Sequence, residues 1–324
     1  MGTYVRTQMI DHTVGESGSV SIAVHSADVR AHGIAGGEAH VKATFEIAAA
    51  SDAEADRLYE AFQLRVNRAS GDLSVDEHDL PHSVGSVIGR LFGAGGQYEL
   101  SVEAEIPATA TLRLTAVSSE MEVTGLRGEQ RYRTVSGDLM LTDLGGSVRL
   151  ETVSGDATIR ADLPLAVSVQ GVSGDVSIAT PSLRSLRANT VSGDVEVEAQ
   201  LAADGDFRVE TVSGDLVVGL VGNATFEVHG LSTDVNSELD HRLEGQVDRR
   251  RLIVGSGGPR LVFNSMSGDV DVRRPRRIVV VAKGEEPAAA PSAPDQATQL
   301  DVLRALERGE IDVDEATRRL AGGA

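Results

Sequence analysis

Seven aspartates, Asp138, Asp156, Asp175, Asp194, Asp215, Asp234 and Asp269, each follow a Ser-Gly or Ser-Thr pair. Carboxylates repeated in this way could line up to hold calcium, and a serine beside an acid could be a nucleophile. Both readings ask for more than the sequence offers. Calcium takes six to eight oxygens, and here there is one acid per copy. The serines (Ser136, Ser154, Ser173, Ser192, Ser213) have no histidine repeating beside them to act as base. The simpler reading is that each carboxylate accepts backbone N–H groups in an Asx-turn and that the hydroxyls form a ladder. His78 and His82 lie four apart beside Glu77 and Asp79, but Pro81 breaks the helix that would align them on a metal. No P-loop, G-x-S-x-G, H-E-x-x-H or dinucleotide fingerprint occurs. The reading therefore assigns no catalytic residue, metal ligand or cofactor.

The elements that position these residues follow from the repeat that contains them. It reads VSSEMEV from Val117, VSGDLML from Val135, VSGDATI from Val153, VSGDVSI from Val172, VSGDVEV from Val191, VSGDLVV from Val212, LSTDVNS from Leu231 and MSGDVDV from Met266. Successive starts are 18, 18, 19, 19, 21, 19 and 35 residues apart. The last gap, near two periods, predicts a degenerate rung between Asn236 and Ser265. This period is too short for helix pairs or propeller blades and suits one coil of a β-solenoid. Val135, Leu139, Leu141, Leu144, Val148, Leu150 and Val153 alternate as inward residues. Each coil is thus expected to hold two short strands, with one corner at Ser-Gly-Asp and a second turn such as Leu144-Gly145-Gly146. Gly137, Gly155, Gly174, Gly193, Gly214 and Gly268 mark corners needing φ > 0, where a side chain would cost about 1 kcal/mol or more. Stacked at about 4.8 Å in water, neighbouring aspartates would repel by about 0.9 kcal/mol before screening.

Upstream, Ser19 to His25, Asp28 to His32 and Val41 to Ile47 predict strands, and Ser51 with Glu54 forms a capping box for a short helix. Leu64 to Arg68 and the outlying copy ASGDLSV follow, then a Gly-rich insertion over 77–97, read as packing over one end, with a mobile binding loop as the alternative. Downstream, Arg249, Arg250 and Arg251 with Arg273, Arg274, Arg276 and Arg277 supply seven of the 30 basic residues. They read as protection of an exposed β-edge, with anionic membrane or polymer contact through the 273–277 cluster as the alternative. A Pro/Ala-rich linker leads to QLDVLRALERGEIDVDEATRRL, two short helices whose Leu303, Leu306, Ile311 and Leu320 form an apolar face. So small a hairpin needs cover, which predicts docking on a protein partner or another copy.

The core must be aliphatic: of 324 residues 41% are apolar, but only six are Phe, four Tyr and none Trp or Cys. Absent cysteine excludes disulfides and thiol chemistry, and a net charge of −19 makes nucleic acid an unlikely main partner. Without a secretory h-region or a long apolar run, the chain is expected to be cytoplasmic, with a peripheral membrane position open through the arginines.

The recurring T-V-S-G-D-V pattern, preceded by EAEIPATATLRL, resembles the Toastrack family of adhesin-like β-strand-repeat domains over about residues 17–282. LRALERGEIDVDEATRRL is similar to the helical hairpins called SHOCT motifs. The resemblance implies a non-enzymatic scaffold linked to bacterial cell-envelope stress and surface signalling. The expectation is an all-β chain, a β-helix-like solenoid of 18–19-residue coils with a small C-terminal α-hairpin. Its parts are an N-terminal β region (1–116), the repeat solenoid (117–282), the linker (283–298) and the hairpin (299–324). A polysaccharide-binding or polysaccharide-active β-helix is the rival function, weakened by the lack of tryptophan platforms.

Overall fold

The computed structural model describes residues 2–77, 98–246 and 248–276. Among these, 22 strands and one helix are present. The linker, the hairpin with Leu303, Leu306, Ile311 and Leu320, Arg277, His78, His82 and the 78–97 part of the insertion lie outside the described residues.

Two long ladders run side by side, and most strands within each are parallel. One contains Met121–Thr124, then the segments beginning at Leu139, Ala157 and Val176, then Val195–Leu201, Leu216–Val221, Val270–Arg273 and Val235–Ser237. The other contains Thr111–Thr115, Glu129–Arg133, the segments ending at Glu151, Gln170 and Asn189, then Phe207–Glu210, Arg260–Ser267 and Ala224–Ser232. Each rung puts apolar residues on their equivalents one rung away, as in Leu139↔Ala157, Ala157↔Val176, Val176↔Val195 and Val195↔Leu216. The inward columns are buried: Leu141, Ile159, Val197 and Val218 are fully covered, as are Phe226 and Phe263. Column packing of aliphatic side chains is what a chain poor in aromatics can do, because β-branched residues suit a pleated, half-buried surface.

Three expectations are corrected. The turn at Leu144-Gly145-Gly146, where Asp143 and Gly146 take φ of 54° and 79°, does not separate two strands. Leu139–Glu151 is a single strand with register shifts there, so the chain bends through bulges while its ladder continues. The predicted rung between Asn236 and Ser265 is also replaced: His241–Gln246 and Arg249–Val254 form an antiparallel pair, and the latter strand pairs with Ala224–Ser232. The rung after it then slips back, so that Arg260–Ser267 sits between Phe207–Glu210 and Ala224–Ser232, and Val270–Arg273 between Leu216–Val221 and Val235–Ser237. The order in space is therefore not the order in sequence. Third, the repeat's leading valines do not face inward: Val153, Val172, Val191 and Val212 are exposed.

At the other end, Gly2–Thr13, a strand not expected from the sequence, pairs antiparallel with Glu38–Ala49 over its whole length. Glu38–Ala49 pairs with Tyr98–Pro107, which joins Ala27–Ile34 and through it Met121–Thr124. The helix Asp52–Phe62 begins as expected at Ser51, whose hydroxyl accepts from the Glu54 amide at 3.3 Å. The Glu54 carboxylate reaches back to the Ala50 amide rather than that of Ser51. Its buried Ala55 and half-buried Tyr59 face the sheet, with the Tyr59 ring edge-on to Phe45 at 5.5 Å.

Candidate functional site

The repeated corners meet in register, and their chemistry is spent largely on each other. Gly137, Gly155, Gly174 and Gly193 have φ of 112°, 116°, 113° and 121°, a region that penalises side chains. The glycines also stack: a Cβ on Gly155 would strike the Gly137 backbone, one on Gly174 that of Gly155, and one on Gly193 that of Gly174. Gly268 is not among the positive-φ glycines, contrary to expectation. Its requirement is the close approach alone, since a Cβ there would overlap the Gly214 carbonyl.

The aspartates are not Asx-turn acceptors within their own corners but a relay between rungs. Asp138 Oδ1 accepts from the Asp156 amide at 3.0 Å, Asp156 from Asp175 at 2.9 Å, Asp175 from Asp194 at 2.8 Å and Asp194 from Asp215 at 2.8 Å. Asp215 accepts from Asp269, and Asp269 from Asp234, both at 2.7 Å, following the order in space. Such charge-assisted bonds offset the repulsion between carboxylates stacked along the column. The serines do not bond to one another either. Ser136, Ser154, Ser173 and Ser192 donate at 3.3–3.5 Å to the carbonyls of Val117, Val135, Val153 and Val172, one rung back.

Threonine was the missed member. Thr134, Thr152 and Thr190 hydroxyls donate to the carbonyls of Ser136, Ser154 and Ser192, fixing the chain as it enters the corner. The signal was the Thr ahead of each Val-Ser-Gly-Asp, at 134, 152, 190 and 211, with Gly171 as the exception.

Among the described residues no group of three or more His, Asp or Glu is arranged to hold a metal ion. An open depression of about 450 Å³ is lined by Asp28, Arg30, Glu120, Glu122, Asp138 and Asp156, and another of about 410 Å³ lies over the last Ser-Gly-Asp corners. The arginine cluster is partly consumed. Arg273 pairs with Glu196 and lies 3.4 Å from Glu198, and Arg276 lies 3.5 Å from Glu196. Arg274 is exposed, and Arg250 lies 3.4 Å from Asp234.

A second polar cluster was not foreseen. Buried Glu77 accepts from the His25 amide at 2.6 Å and from the Tyr98 hydroxyl. Burial, reinforced by the Glu77 hydrogen bond, pushes the Tyr98 hydroxyl well above the usual tyrosine range. The Tyr98 ring stacks on Phe62 at 4.4 Å. Among the described residues the Glu77 carboxylate is thus met by a backbone amide and a neutral hydroxyl, with the His25 ring 3.5 Å away.

A search of the curated proteins finds no match. Among solved structures, the chain is similar to a "putative adhesin" from Bacteroides fragilis NCTC 9343, at 11% identity over 82% of this chain and 97% of that one, with a TM-score of 0.38. It is also similar to a "putative adhesin" (12% identity, 84% and 97% covered, TM-score 0.35) and a "putative lipid binding protein" (11%, 83% and 97%, TM-score 0.29), both from Parabacteroides distasonis ATCC 8503. The family model described as Toastrack DUF4097 matches residues 15–185 and 166–273, which together take in every Ser-Gly-Asp corner, and the chain belongs to the Toastrack family.

Proposed function

We propose that this protein is a non-enzymatic binding scaffold: a β-solenoid of 18–19-residue coils carrying a tethered C-terminal docking hairpin. The observation that carries the reading is the Asp relay. A catalytic site needs a unique constellation, whereas here Ser-Gly-Asp recurs at six corners and the aspartates bond to the next rung. The glycine and aspartate corners from Gly137 to Asp269 are accordingly structural. The resemblance to Toastrack proteins and SHOCT hairpins supports a role in cell-envelope stress or surface signalling, from a cytoplasmic position peripheral to the membrane. The hairpin face of Leu303, Leu306, Ile311 and Leu320 takes the protein partner or a second copy, with exposed Arg274 available for an anionic surface.

Deleting residues 284–324 tests this. The expected result is unchanged melting of the β-region with lower oligomer mass by light scattering or weaker partner capture. A much lower melting temperature with unchanged association would make the hairpin an internal cap. Cleavage of an anionic glycan, lost in Asp175→Asn with Asp194→Asn, would move the protein to the enzymes.

A further inference from the structure

From the Val153 rung onward each corner spends its serine and acid on the neighbouring rung and leaves its first residue facing outward, whereas Val135 before it is half-buried. In spatial order Val153, Val172, Val191, Val212, Met266 and Leu231 form one row, since the serines that follow them pair rung to rung through Ser192↔Ser213, Ser213↔Ser267 and Ser232↔Ser267. Their exposure runs from 40% at Val153 to 76% at Leu231. Neighbours in the row cover part of each side chain, and the outward part meets solvent. The same position in the first rung, Val117, is covered: it is 8% exposed, and the His25 carbonyl accepts from the Val117 and Ser118 amides.

Three residues after each row member stands the aspartate column, mostly exposed, so an apolar stripe runs beside an acidic one. Five intervals of about 4.8 Å make the stripe about 24 Å long. A helix of roughly 16 residues has that length, and its i, i+3, i+4 side chains recur at a similar spacing. Charge decides among occupants. A second copy would bring its own aspartate column and a net charge of −19, and the 299–324 tail carries six acids against four arginines. Neither complements the acidic row.

We infer that the Val153-to-Leu231 row with its flanking aspartates is a docking surface for a basic amphipathic helix of a partner protein, the apolar face lying on the row and Lys or Arg beside the carboxylates. This rests on the scaffold reading and gives it a partner class.

The probe is a synthetic helical peptide of Leu and Lys, with Leu at i, i+3, i+4 and i+7, titrated into the full-length chain by calorimetry. A Glu-for-Lys version is the control. The Lys peptide is expected to bind, more weakly as salt rises, and the Glu peptide not to bind. Val172→Ser with Val191→Ser and Val212→Ser should weaken binding by about tenfold or more. Asp175→Asn with Asp194→Asn keeps the Oδ1 acceptors of the relay and should weaken binding and flatten its salt dependence. Should the serine variant melt early, Val191→Lys, one outward change that sets a cation under the peptide, must abolish binding. Undiminished binding in these variants, or equal binding of the Glu peptide, overturns the inference. So does a dimer dissolved by the serine substitutions in a chain that ignores the peptide, which would make a second copy the occupant. Deleting residues 284–324 leaves this surface intact, so failure of the hairpin reading and failure of this one are separate results.

Discussion

Gly174→Ala isolates what the corner glycines do. The backbone there has φ of 113°, so any Cβ is strained by about 1–2 kcal/mol. The new methyl would also stand 2.8 Å from the Gly155 carbonyl carbon and 3.1 Å from its nitrogen, too close for contact without moving one rung. Moving it weakens the Asp175 amide to Asp156 Oδ1 bond and the Ser173 amide to Val153 carbonyl bond, at about 1 kcal/mol each. The sum is about 3–4 kcal/mol, or roughly 6–10 °C of melting temperature for a domain of this size. Gly222 is the internal control: its φ is 92°, but a Cβ there would meet nothing within 4 Å. Gly222→Ala should therefore cost only the conformational part, about 1–2 kcal/mol. Both variants are read by thermal melts against the parent. Equal losses would refute the claim that stacking of glycine on glycine, beyond φ alone, selects the residue.

The relay predicts a difference between two substitutions of one aspartate: Asp175→Asn keeps an acceptor for the Asp194 amide and should melt within about 2 °C of the parent, whereas Asp175→Ala leaves that amide unpaired and should lose about 1–2 kcal/mol by denaturant titration. His40 is held above the usual histidine range by its 2.6 Å hydrogen bond to Asp11. Its raised folded-state value means that the stabilisation is present at pH below the unfolded value and lost as pH rises through the folded one; an NMR titration should place the midpoint high, and Asp11→Asn should lower it. Gly171 occupies the slot that threonine fills in neighbouring rungs, and a Cβ there would lie 3.6 Å from Thr152 Cγ2 and 3.7 Å from Thr190 Oγ1, in ordinary contact. Gly171→Thr should accordingly stabilise by about 0.5–1 kcal/mol by calorimetry, through lost chain entropy and a new hydroxyl bond to the corner.

The repeat made the corners legible because a positive-φ turn recurring at near-constant spacing leaves Gly in one place, and Ser51 with Glu54 marked the helix start for an equally local reason. What failed was non-local. Alternation at period two placed Val135 and Val153 inward with Leu139 and Leu141, but the glycine turn interrupts the pleat, so that Val135 is only half-buried and Val153 leaves the core. Spacing ranks rungs along the chain and carries no information on insertion between earlier ones, which is how Met266 comes to stand between Val212 and Leu231. Gly2–Thr13 buries only Ile10 and leaves Val5 and Met9 exposed, so no apolar face marks it, and it is a strand because Glu38–Ala49 offers it a partner. The relay was hidden because an Asx-turn and a bond to the next rung ask for the same residue.

The corner tetrapeptide therefore separates two tasks. Ser, Gly and Asp satisfy backbone groups or permit close approach, and removing the acceptor, the hydroxyl or the missing Cβ disturbs a neighbouring rung. The leading residue makes no comparable demand: its carbonyl accepts from the serine amide of the next rung, and from Val153 onward its side chain is free of the core. A threonine would keep the β-branch and the lateral contact along the row while hydrating the outward part. Instead six successive rungs carry Val, Met or Leu, in a chain whose charge otherwise favours solubility. Folding explains the acidic column through the relay and leaves the apolar row beside it unexplained. A surface built to be covered explains both its hydrophobicity and its position next to the carboxylates.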